Sequence, residues 1–150
     1  MISPAASIYE NNIIVPIAVL PPLIVGKDPR LVCPPFIVHP GDWLIVWELV
    51  TIHYAQLAHA TFPDEGGIFE MPGHEQAFTS STRISDTQWV VSIINEPQID
   101  KPKVFAIPYG IGFLYPTPGN PNPVLYTSEN RNVIRQDPTI VVSQDPVEGY

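Results

Sequence analysis

The side chains able to do chemistry are few and scattered. Histidines stand at His39, His53, His59 and His74, and the only thiol is Cys33. His53 and His59 are six positions apart. On one strand, at about 3.3 Å per residue, that spacing separates them by about 20 Å. On a helix they sit about 120° apart around the axis, since each residue turns by about 100°. Neither regular element makes them a chelating pair. The densest set is Glu70-Met71-Pro72-Gly73-His74-Glu75, which gathers two carboxylates and an imidazole around a turn. Glu70 and His74, with His59 upstream, are the candidate metal ligands, because zinc accepts such oxygen and nitrogen donors. A flexible turn without a fourth fixed partner binds weakly. The expectation is a solvated turn and no cofactor.

Nucleophilic chemistry has less to build on. Ser80, Ser81, Ser85 and Ser92 sit outside any Gly-x-Ser-x-Gly elbow. Pro34-Pro35 follows Cys33 and removes backbone donors where an oxyanion hole would form. Cys33 therefore reads as a small buried hydrophobe. Gly110-Ile111-Gly112 lacks the Lys and the Ser or Thr of a phosphate loop. Asp64-Glu65, next to Gly66-Gly67, reads as a hairpin loop. No residue is nominated as catalytic.

The elements that must position these groups read as strands. The chain has 150 residues, 45% apolar and only 15% charged, which fits one domain with a sizeable core. Its 19 prolines exclude an all-helical fold. Seven basic against fifteen acidic side chains give a net charge of −8, and no basic patch is present to neutralise phosphates, so nucleic acid is not an expected partner. Trp43 to Val50 alternates Trp43, Ile45, Trp47 and Leu49 on one face, and Trp89 to Ile94 repeats the pattern. Further strands are expected at Arg30–Val32, Phe36–His39, Ala58–Phe62, Gln76–Thr79, Lys103–Ile107, Ile111–Tyr115 and Thr139–Ser143. Turns such as Pro40-Gly41-Asp42 and the loop Pro116 to Pro123 separate them. The expected fold is an all-β antiparallel sandwich with proline-rich loops and at most one short helix, placed at Glu48 to Ala60.

The apolar run Ile13 to Val25 is too short, and too interrupted by Pro16, Pro21 and Pro22, to span a bilayer as a helix. No basic region precedes it as a secretory signal requires. With Met1 as the start, and with one thiol, the expected location is the cytoplasm. Residues 1–27 read as an apolar, proline-containing arm ahead of a single sandwich domain over 28–150. Ile13, Ile14, Val15, Ile17, Val19 and Leu20 are too apolar to stay in water. By default the arm forms the first strand of its own sandwich. The stiff segment Pro21-Pro22 to Pro29 also allows it to reach a neighbour's sheet edge.

Several pieces resemble cupredoxin domains. Pro40-Gly41-Asp42 before a strand ending at Trp47 looks like the family's lead-in strand. His59-Ala60-Thr61-Phe62 resembles its first histidine and the apolar strand after it. Pro72-Gly73 before Gln76-Ala77-Phe78 resembles its next turn and strand, and Val104 to Ile107 sits where the strand before the copper loop would lie. The resemblance spans roughly residues 36 to 110 and implies a Greek-key sandwich; an immunoglobulin-like sandwich is the neighbouring alternative. The copper ligands do not carry over. Pro108 to Tyr115 holds no Cys, His or Met, and Cys33 lies upstream of the matching strands, so the thiolate and second imidazole of a blue-copper centre are missing. The expected function is a non-catalytic structural or interaction protein. It would assemble with itself or hold a protein partner through sheet edges and proline–aromatic loops such as those flanked by Tyr109 and Tyr115. The alternative is a cupredoxin-like module that binds metal or a small ligand.

Overall fold

The structure is a computed structural model and describes residues 7–9, 11–24, 27–52, 59–117, 119–129 and 138–145. It is all-β. The strands are β1 (Ser7–Tyr9), β2 (Asn12–Leu20), β3 (Arg30–Val32), β4 (Phe36–Val38), β5 (Gly41–Thr51), β6 (Ile68–Glu70), β7 (Ser80–Arg83), β8 (Gln88–Asn95), β9 (Val104–Tyr115), β10 (Val124–Thr127) and β11 (Thr139–Ser143). A six-stranded sheet runs β1-β2-β5-β8-β7, with β3 also on β2. A five-stranded sheet runs β10-β9-β11-β4, with β6 also on β9.

The two sheets share one core. Odd positions of β2, β5 and β8 point inward, bringing Ile13, Val15, Ile17, Val19, Ile45, Trp47 and Val91 under cover. From the other sheet come Phe36, Val38, Tyr109, Ile111, Phe113, Ile140 and Val142. Trp47 meets Phe36 edge-on at 5.8 Å and Tyr109 at 5.2 Å between ring centroids, so aromatic contacts tie the layers together. Asn95 adds a polar tie. Its amide nitrogen, carried by the first sheet, donates to Val38 O at 3.1 Å and Ser143 O at 2.9 Å in the second.

Both sheets are mixed, which corrects the expectation of an antiparallel sandwich. β2 runs parallel to β5, and β4 runs parallel to β11. That expectation rested on the lack of crossover helices, because parallel neighbours need a long connection. Here the connection from β2 to β5 passes through β3 and then β4 in the opposite sheet, so strands do the work of the helix. Of the segment allowed a short helix, Glu48 to Ala60, β5 takes the part up to Thr51 and residues 53–58 lie outside the described residues, among which no helix occurs. No described helix is long and apolar enough to cross a membrane.

Other expectations shift locally. β9 joins the two segments expected at Lys103–Ile107 and Ile111–Tyr115 into one strand through Pro108. The strand expected at Gln76–Thr79 is a turn, because Gln76 has φ of 76° and cannot extend the chain; β7 begins at Ser80. Ala58–Phe62 contributes a single bridge, Thr61 to Leu114, and Ala58 is outside the described residues.

Candidate functional site

The arm takes its default course as a strand of its own sandwich. Ile13, Val15, Ile17, Val19 and Leu20 are buried in their own domain and Ile14 is half-buried, so they are not a surface for a neighbour. Pro16 shows how the strand fits inside a sheet. Leu44 N donates to Asn11 O and Ile52 N to Val19 O, so odd residues of β2 turn their backbone groups to β5. Pro16, an even residue, faces the other edge, between the stretches paired with β1 (Asn12 to Ile14) and β3 (Ala18 to Leu20). The missing N–H falls where no described strand asks for it.

Tyr109 and Tyr115 also turn inward, at 1% and 6% exposure, and do not form an aromatic contact surface. Tyr109 accepts at its hydroxyl from Trp47 Nε1 at 3.1 Å and lies 3.0 Å from Cys33 Sγ. Burial pushes the Cys33 thiol up to about 11, against a smaller opposing effect of its hydrogen bond with Tyr109. The same burial, with Cys33 alongside, raises the Tyr109 phenol. A thiol held protonated at neutral pH is a poor nucleophile. This trio is a structural polar contact inside an aromatic core.

The three nominated metal ligands do not converge. Glu70 Oε2 accepts from Phe78 N at 3.0 Å, which fastens the turn between β6 and β7. His74 N donates to Met71 O at 3.0 Å within that turn. Glu75 is held below the usual carboxylate range by its own backbone N–H and then by Gly73 N, which donates to it. His59 is exposed at the start of the segment leading to Ala60. Among the described residues, no three His, Cys, Asp or Glu side chains gather where they could hold an ion.

What the chain does assemble is an open cleft on one flank. β7 ends the six-stranded sheet and β6 lies against β9 in the other, so two strand edges approach there. They are joined by Ser81, whose hydroxyl donates to Ile68 O at 3.0 Å while accepting from Trp89 Nε1 at 2.7 Å. The cleft between them holds about 500 Å3. Ile68, Phe69 and Phe78 supply apolar lining, and Asp64, Glu65 and Glu70 supply carboxylates. Arg83 is engaged with Asp86 and with Phe62 O. Two glycines set the aromatic geometry. A Cβ at Gly67 would overlap the Trp89 and Phe62 rings, and one at Gly110 would overlap Phe69. Sequence reading took Asp64-Glu65-Gly66-Gly67 for a hairpin loop and missed the cleft, because β6 and β7 are short and no periodic pattern announces them.

A second exposed feature lies across the molecule. Leu23 and Ile24 protrude from the β2–β3 loop. Compared with known proteins, the chain matches no described family and no curated protein.

Proposed function

We propose that the chain is a non-catalytic interaction domain, a Greek-key sandwich of cupredoxin-like ancestry, that assembles with itself. The observation that carries this reading is the pairing of an open flank, where two sheet edges meet around a cleft, with large apolar side chains left in water on loops. Strand edges and uncovered aliphatic side chains are what proteins use to join chains, and monomers ordinarily shield them. The cupredoxin likeness rests on the order of the pieces: Pro40-Gly41-Asp42 opens β5, Pro72-Gly73 turns the chain after β6, and Val104 to Ile107 begins β9. The lone thiol, bonded to Tyr109 and pushed upward in pKa, is set for packing and not for metal.

Sedimentation velocity across a concentration series tests the reading. The expected result is a mass that rises above the 16.6 kDa of one chain. A chain that stays at that mass throughout contradicts it. Thermal melts supply the metal control, since an ion that binds the native state raises its stability. Melts with chelator, Cu2+ and Zn2+ are expected to superimpose, and a chelator-induced fall in Tm would favour the metal-binding alternative.

A further inference from the structure

The loop between β2 and β3 ends in two large aliphatic side chains that the domain does not cover. Leu23 is 75% exposed and Ile24 65%, although the strand just before them is core. Two hydrogen bonds brace the loop. Arg30 Nε donates to Pro21 O at 3.2 Å across its base, and Lys27 N donates to Ile24 O at 3.1 Å across its turn. Pro21 and Pro22 fix φ on the approach. Leu23 and Ile24 are presented beyond this base, with an exposed lysine three residues past Ile24. A tip braced in this way loses less conformational entropy when it docks, and its two aliphatic side chains give up water-exposed apolar surface.

The same chain carries a receptacle of matching chemistry. The β6–β7 cleft offers Ile68, Phe69 and Phe78 to an aliphatic tip, and Asp64, Glu65 and Glu70 to the ammonium of Lys27. Its volume of about 500 Å3 lies within the range of sites that accept small organic groups. Tip and cleft stand on opposite flanks of the six-stranded sheet, β2 against β7, with β5 and β8 between them. Three strand spacings of about 4.8 Å put β2 about 14 Å from β7, and Leu23 and Ile24 stand exposed and do not line the cleft, so a chain does not fill its own cleft. We propose that the Leu23–Ile24 tip of one copy docks in the β6–β7 cleft of the next, joining chains head to tail. This rests on the self-assembly reading above and gives it a geometry. A heterologous contact of this kind closes into a ring or runs on as a filament.

Two variants in exposed positions test it. Leu23→Asp/Ile24→Asp disables the tip, and Asp64→Lys/Glu65→Lys disables the cleft; circular dichroism checks that each keeps its β spectrum, with Leu23→Ser/Ile24→Ser as the milder replacement. Each variant alone is expected to sediment as a single chain. Mixed in equal amounts, they are expected to give a pair and nothing larger, because one supplies only a cleft and the other only a tip. If the wild type assembles and either variant keeps that assembly, head-to-tail docking is overturned while self-assembly stands. A wild type that stays a single chain overturns both. Co-sedimentation of the wild type with phosphatidylcholine vesicles, lost in the tip variant, would assign the tip to lipid and likewise overturn the docking.

Discussion

At the scale of single residues, the buried polar contacts carry the sharpest consequences. Asn95 is the only described side chain whose amide joins both sheets at carbonyls of β4 and β11. Asn95→Leu leaves Val38 O and Ser143 O without that donor, and each orphaned buried group costs about 1–3 kcal/mol. A loss of about 2–5 kcal/mol is expected by denaturant titration, and a loss under about 1 kcal/mol would mean that water replaces the amide. Cys33 gives a pH signature. Its pKa rises in the folded state from an ordinary 9.0 to about 11, so the folded chain holds a proton that the unfolded chain releases. That contribution is intact below pH 9.0 and is lost as pH climbs toward about 11, where Tyr109 acts in the same direction. Stability is therefore expected to fall across that alkaline window, and Cys33→Ala should flatten part of the slope. Native Cys33 should also resist iodoacetamide at pH 8. The sequence marked Cys33 as a small packing residue, and the structure half-buries it against the core. The sequence held no trace of Tyr109, because that contact spans 76 positions and depends on how β9 faces the core.

At the scale of elements, legibility followed the pattern each strand could carry by itself. β5 and β8 alternate apolar residues over eight or more positions, and both were readable. β6, β7 and β10 have three or four residues each, too few for a period to show. Parallel pairing was not readable at all, since nothing in Asn12–Leu20 names Leu44 to Thr51 as its neighbour. The arm's role follows from that pairing. Ile17 is fully buried between the sheets, so Ile17→Ala is expected to cost about 2–5 kcal/mol, whereas an arm that merely visited a neighbour would tolerate it. The two glycines separate core from cleft. Gly67→Ala presses on Trp89 and Phe62, which are buried and have little room, and overpacking there should cost about 1–3 kcal/mol. Gly110→Ala presses on the half-buried Phe69 instead, so it should reshape the cleft more than it lowers Tm.

At the scale of the whole molecule, an acidic chain of net charge −8 must overcome self-repulsion wherever copies meet. An apolar tip bearing Lys27 and a cleft lined with carboxylates meet that requirement, while the six-stranded sheet keeps them apart within one chain. Removing residues 1–25 takes away β1, β2 and the tip together, and the β-type circular dichroism spectrum is expected to disappear with them. The most direct measurement is amide hydrogen exchange on the intact chain at low and high concentration, read segment by segment. Head-to-tail assembly slows exchange at high concentration in the β2–β3 loop and around Asp64 to Glu70 and Ser80 to Arg83, and leaves the interior amides of β2 and β5 unchanged. Exchange that does not depend on concentration, or that slows at other surfaces while the loop and cleft stay as they were, would contradict it.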